Sequence, residues 1–216
     1  MTTINGKVCV VDGVAVDEVF SNGKQVYGRN LMLMTNNPSG YPSMGSYSIS
    51  NPKTSSINAS GEVTVTADGS MAELFYRFIS PSALNLARLT AGETYRFTGK
   101  VKGTLSQSKY LKTRNQCINA NDNGWRELPN TRIDVSTEYT TFSTVITVPA
   151  DATAFYFSLS VAGSGSINAG DMFTFKDIMY TKDYGYDVPY SPAPEDVLKG
   201  DITAPNNLVI SQSYIK

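Results

Sequence analysis

The chain contains no histidine, and that absence excludes a large share of enzyme chemistry. Without imidazole there is no Ser-His-Asp or Cys-His nucleophile system, no imidazole general base and no histidine-ligated zinc. Charge is scarce as well. Asp, Glu, Lys and Arg make up 17% of the 216 residues, against roughly 25% in an ordinary soluble domain. Eighteen basic residues nearly balance 19 acidic ones, for a net charge of -1 and a pI near 5.5. This balance offers no electrostatic basis for binding nucleic acid. No apolar run approaches the roughly 18 residues of a membrane-spanning helix, so no membrane insertion is expected. The stretch from Met1 to Lys7 lacks the basic region and apolar run of a signal peptide. Read as the native start, it predicts a protein that does not use the general secretory route.

There are two cysteines and one tryptophan. Cys9 lies in an apolar run and Cys117 in a candidate strand. Two buried free thiols are the expectation, because free cysteine packs as a small hydrophobe. A disulfide stays open at this level, and a metal site needs more ligands than these two.

What the chain has is neutral polarity. Its 23 serines, 21 threonines and 16 asparagines form a hydroxyl- and amide-rich surface, suited to neutral, hydroxyl-rich partners. At 41% hydrophobic and 11% aromatic residues it can still bury a real core. Period-two alternation dominates, in short runs bounded by Gly, Pro, Asn and Ser, which is strand grammar. Residues 62–66, 73–79, 94–102, 140–148, 154–161 and 172–180 all read this way. In the fifth, Phe155, Phe157, Leu159 and Val161 fall on one side and Tyr156, Ser158 and Ser160 on the other. The best helical candidate is a turn or two over Pro81 to Leu89. Many short alternating strands with turns between them predict an all-β, antiparallel β-sandwich.

The ends differ from the middle. Asn5-Gly6, Asp12-Gly13 and Asn22-Gly23 divide residues 1–28 into Val-rich pieces, which predicts one or two short β-hairpins and an attachment segment. Proline punctuation from Pro189 to Pro194 closes the sandwich. The division predicted is therefore 1–28, a main domain over 29–194, and a tail or attachment segment over 195–216.

Several stretches, taken in order, carry a resemblance. They are Val26-Tyr27-Gly28-Arg29-Asn30-Leu31, the run from Leu89 through Gly92-Glu93-Thr94-Tyr95 to Gly103, and Tyr139 to Ser143 continuing to Val148-Pro149-Ala150-Asp151-Ala152-Thr153. Phe175 to Tyr180 and Tyr190-Ser191-Pro192-Ala193-Pro194-Glu195-Asp196 complete the set. Over roughly residues 26 to 196 the chain resembles a module that recurs in tail and baseplate proteins of phages of Gram-positive bacteria. That module is similar to the family-4/9 type of carbohydrate-binding module, a jelly-roll sandwich of the galactose-binding class. The Gly-Arg-Asn-Leu opening and the Pro-Ala-Pro-Glu-Asp close point to phage tails.

The resemblance implies a non-catalytic virion part, made in the host cytoplasm and acting at the host cell surface. Its partners would be host cell-wall polysaccharide and other tail or baseplate proteins. The alternative is a purely structural baseplate or virion-decoration protein with the same fold and no sugar site. The resembling modules bind sugar on the concave face of one sheet or on loops at its rim. Many also hold a structural calcium; Asp177 matches one ligand position and Asn30 lies near the other end. Calcium takes six to eight oxygens, and Lys176, where much of the family is acidic, argues against it.

A sugar site needs an apolar platform for the C-H face of a ring and planar polar groups for its hydroxyls. Trp125 sits in the turn-rich Asn121-Asp122-Asn123-Gly124-Trp125-Arg126. It is either an exposed stacking platform or a core residue closing a loop under the sandwich. In the strand from Gln107 to Ile118, one parity holds Leu111 and Cys117 and the other holds Tyr110, Lys112, Arg114 and Gln116. The second row is either an ordinary solvated face or one wall of a glycan groove. Arg77, Arg96 and Tyr156 occupy the non-core parity of their own strands and are candidates for the same face. A glycosidase needs two carboxylates roughly 5 to 10 Å apart. Glu73, Asp122, Glu127 and Asp134 are available, and no spacing singles out a pair.

Overall fold

The computed structural model of the protein describes residues 9–11, 14–32, 53–58, 62–70, 73–85, 87–106, 108–120, 122–194 and 208–209. Its elements are all strands. One sheet contains β5 (Lys53–Ile57), β6 (Val63–Ala67), β8 (Thr94–Thr104), β12 (Thr140–Thr147) and β14 (Met172–Lys182), in the order β12-β8-β14-β6-β5. The other contains β7 (Phe75–Ala83), β9 (Lys109–Asn119), β10 (Asp122–Glu127) and β13 (Ala152–Gly163), in the order β10-β9-β13-β7. The short β11 (Arg132–Ile133) also pairs with β9. Every pairing within these two sheets is antiparallel. From β6 to β14 the chain crosses from sheet to sheet at every step except β9 to β10 and β10 to β11, which stay in one sheet. That strand order is a jelly-roll sandwich.

The inward parity of both sheets supplies the core, an aromatic stack between the layers. Phe97 lies 4.5 Å from Phe157 and 5.1 Å from Tyr180, centroid to centroid, and Tyr76 lies 4.7 Å from Phe175. Such offset and edge contacts contribute about 0.5–1.5 kcal/mol each beyond area burial. Gly99 makes room for this packing: a Cβ there would stand 2.8 Å from the Phe142 ring and closer still to Ile178. Ile178 enters the core at a bulge in β14, where Asp177 adopts φ 54° and the register with β8 shifts between Lys176 and Met179.

The predicted helix over Pro81 to Leu89 is not formed. β7 continues to Ala83, and two turns follow. β7 is an edge strand, so the N–H that Pro81 lacks is not missed. Leu89 then drops into the core, and its N–H donates to the Leu84 carbonyl.

At the N-terminal side β3 (Glu18–Ser21) and β4 (Lys24–Gly28) form the expected hairpin. Its turn is Asn22-Gly23, with φ 51° and 74°, the positive pair that a two-residue type I′ turn requires. β1 (Cys9–Val11) pairs antiparallel with β2 (Val14–Ala15) and parallel with β15 (Leu208–Val209), so a piece of the C-terminal stretch lies beside the N-terminal one. The Asn5-Gly6 and Asp12-Gly13 turns lie outside the described residues. Both cysteines are free and buried, and burial pushes the Cys9 thiol up to about 11.

Candidate functional site

The outer face of the β10-β9-β13-β7 sheet is a trough, and its shape follows from side-chain size. β13 is the inner strand between β7 and β9, and its outward residues Tyr156, Ser158 and Ser160 are all buried. Register places Ser158 between Arg77 and Arg114, and Ser160 between Phe75 and Lys112. Short hydroxyls along the middle and long side chains on both flanks make a floor with two walls. The Ser158 and Ser160 hydroxyls sit 3.2 Å apart and bond to each other.

At one end the trough deepens into a cavity of about 400 Å³ over Ser160 and residues 161–163, walled by Glu73, Phe75, Tyr110, Lys112, Arg114 and Glu127. Gly163 closes β13 at φ 126°, so close to the Ser108 carbonyl that a side chain could not fit. Arg114 crosses the cavity between two carboxylates, with its guanidinium 3.4 Å from Glu127 and 3.8 Å from Glu73. Glu127 also accepts from Gln116 at 2.7 Å and from Asn130 at 3.2 Å. On the rim Arg132 lies 4.1 Å from the Tyr110 ring centroid and pairs with Asp134 at 2.8 Å.

The other end is aromatic. Trp125 stands on β10 opposite Ile118, past a bulge between Asp122 and Trp125. It is 39% exposed and meets Tyr156 edge to face at 6.2 Å. Arg77 lies 5.0 Å from the Tyr156 centroid and 5.4 Å from that of Phe75, and Arg114 comes within 6.0 Å of Tyr156. Three buried polar atoms on or beside this face have no hydrogen-bond partner among the described residues: Glu73 Oε2, Arg77 Nε and the Tyr156 hydroxyl.

Six residues singled out as sugar-binding candidates, Trp125, Tyr110, Arg114, Gln116, Arg77 and Tyr156, thus share one face. Trp125 is not the core residue of the alternative reading. Arg96 goes elsewhere: it belongs to the opposite sheet, held by Asp183 at 2.9 Å and Asp187 at 2.8 Å. Sequence reasoning missed Phe75 and the serine floor as site components, and offered Glu73 and Glu127 only as carboxylates available to a glycosidase. The available signal was the pair Ser158 and Ser160 alternating with Phe157 and Leu159 in an otherwise apolar strand.

Asp177 and Asn30 do not fit a calcium cage. The Asp177 carboxylate faces the Lys100 ammonium at 2.9 Å. The Asn30 side-chain oxygen accepts from the Met32 and Tyr180 amides at 2.9 and 3.3 Å, while its nitrogen donates to the Ser191 carbonyl at 2.9 Å. Its oxygen is committed to the fold as a latch between the hairpin exit, β14 and the chain after it. Among the described residues no three Asp, Glu, Cys or His side chains gather as a metal site.

No family model and no curated protein sequence matches the chain. Among solved structures it is similar to carbohydrate-binding modules. One is a family 16 carbohydrate-binding module (15% identity, TM-score 0.47, covering 71% of this chain and 100% of that one). A second is the C-terminal family 22 module of Clostridium thermocellum Xyn10B (14%, 0.48, 75% and 96%). A third is the family 11 module of the Clostridium thermocellum cellulase Lic26A-Cel5E (11%, 0.48, 71% and 96%).

Proposed function

We propose that the protein is a non-catalytic carbohydrate-binding component of a phage tail or baseplate, and that its trough holds host cell-wall polysaccharide. The observation that carries the sugar reading is the trough itself. An exposed indole braced on Tyr156, with Gln116 level with that ring, leads into a polar cleft lined by Arg114 and Ser160. An indole offers an apolar platform for a pyranose face, and planar amide and guanidinium groups match ring hydroxyls. The phage-tail setting is supported by the Gly28-Arg29-Asn30-Leu31 opening and the close from Pro192 to Asp196. The non-catalytic reading is supported by Glu127, whose carboxylate is engaged by Arg114, Gln116 and Asn130.

The test is fluorescence imaging of the tagged protein on a panel of Gram-positive cells, alongside binding to their purified wall polysaccharides. Labelling of a subset of cells is expected, weakened by Trp125→Ala and by Arg114→Ala, with no reducing sugar released. Labelling that survives both changes would move the site off this face. Absence of cell binding, with stable association to virion proteins, would favour the purely structural alternative.

A further inference from the structure

The charges along the trough are not balanced. Arg77, Lys112 and Arg114 face Glu73 and Glu127, giving the trough a positive excess on a chain whose net charge is -1. The pairing is uneven too. Both carboxylates lie against Arg114, the cation between them. Neither Arg77 nor Lys112 has an acidic partner or a hydrogen-bond acceptor among the described residues. The Arg77 guanidinium lies over the Phe75 and Tyr156 rings, and its Nε is buried without an acceptor among the described residues.

These two cations stand on opposite walls, at neighbouring rungs of the Ser158–Ser160 floor. With strands about 4.8 Å apart and about 3.4 Å per residue, their Cα atoms are roughly 12 Å apart. Two long side chains span that distance around one small anionic group. Stacking between two rings holds the Arg77 guanidinium in place before any ligand arrives, which lowers the ordering cost of binding.

Resting on the sugar-binding reading, we infer that the trough selects saccharides bearing an anionic substituent, a carboxylate or a phosphate ester, seated between Arg77 and Lys112 above the serine floor. The Ser160 hydroxyl below and cations on either side complete the shell of such a group. A neutral saccharide leaves both cations without a counter-charge. A charge-assisted hydrogen bond contributes about 1.5–3 kcal/mol net, so the anion is expected to tighten binding about tenfold or more.

The test uses the full chain and acidic wall polysaccharide purified from cells that it labels. Affinity electrophoresis compares the native polymer, the polymer after chemical reduction of its carboxyl groups, and the polymer after removal of its phosphate esters by cold hydrogen fluoride. One treatment is expected to weaken retardation about tenfold and so to identify the anion. Raised salt should narrow the gap, because the trough is open to solvent. The double variant Arg77→Gln, Lys112→Gln should bind native and treated polymer alike, with an unchanged melting temperature within a few degrees. Equal binding of native polymer and both treated forms by the unaltered protein would overturn the inference and leave the sugar-binding reading standing. Failure to label any cell or retard in any polymer would overturn both.

Discussion

Replacing Trp125 with alanine removes the only indole in the chain. It is 39% exposed, and among the described residues its one aromatic neighbour is Tyr156, edge to face at 6.2 Å. A contact of that kind contributes about 0.5–1.5 kcal/mol beyond area burial, and roughly 100 Å² of covered apolar surface adds about 2.5 kcal/mol, so the melting temperature should fall by about 6–16 °C. The loss in binding is a separate quantity. A pyranose face laid on the indole takes roughly 80 Å² of apolar surface out of water, counting both partners. At about 25 cal/mol per Å² this is worth about 2 kcal/mol, a rise of about 30-fold in Kd. Trp125→Phe should recover part of that difference. Because the indole is unique, the unaltered protein also carries its own reporter. Titration with wall polysaccharide should shift its emission to the blue and shield it from acrylamide, since the ligand replaces water over the ring. Calorimetric titration of both proteins supplies Kd, and a thermal melt supplies the stability control. An unchanged Kd, with emission indifferent to the polysaccharide, would refute the platform role of Trp125.

The remaining predictions separate the trough from the scaffold. Ala162 lines the deep end of the trough, so Ala162→Trp should fill much of the cavity and lower polysaccharide affinity at least tenfold, read by affinity electrophoresis beside an unchanged far-ultraviolet spectrum. Gly99→Val should destabilise the fold by about 1–3 kcal/mol through overpacking against Phe142 and Ile178, seen as a lower urea midpoint. Asn30→Ala strands two buried amides and a buried carbonyl, and should cost about 2–4 kcal/mol by the same measurement. The neighbouring Tyr139 hydroxyl, the Asn58 amide and the Lys176 ammonium hold the Glu62 carboxyl down at about 2 from an ordinary value of 4.5. A depressed carboxylate pKa stabilises the fold above the unfolded value and loses that contribution as pH falls through the folded one. The urea midpoints of the unaltered protein and Glu62→Gln should therefore differ at pH 6 and converge between pH 4.5 and pH 2; a constant difference would contradict the assignment.

Much of the sandwich was readable because alternation in these strands is strict. In β9 the buried residues are Leu111, Thr113, Asn115 and Cys117, every second position, so one parity assignment places the whole Tyr110-Lys112-Arg114-Gln116 row outward. The Asn22-Gly23 hairpin was readable for a similarly local reason, since few other dipeptides adopt two positive φ angles in succession. The segment from Pro81 to Leu89 misled because a proline ahead of spaced leucines is also what an edge strand running into a buried turn looks like. Local pattern does not distinguish them. The difference lies in which strand pairs with β7, a contact with residues some 75 positions away.

The site itself shows why parity alone does not assemble a trough. Arg77 and Arg96 have the same local signature, an arginine between two inward aromatic residues in an alternating strand. One lies over Tyr156 and the other is held by two aspartates on the far side of the sandwich. Only the crossing of the chain between sheets separates them, and β7 and β8 are consecutive strands on opposite layers. Depth is set by the same non-local register. Ser158 and Ser160 form a floor because bulges near Phe157 bring Arg77 and Phe75 level with them on one side, while regular pairing with β9 brings Arg114 and Lys112 level on the other. Displacing β7 by one residue would turn Tyr76 and Phe78 outward and Arg77 into the core. The buried aromatic stack of Tyr76, Phe78, Phe157 and Phe175 opposes that slip, so the packing that stabilises the sandwich also holds Arg77 at the trough.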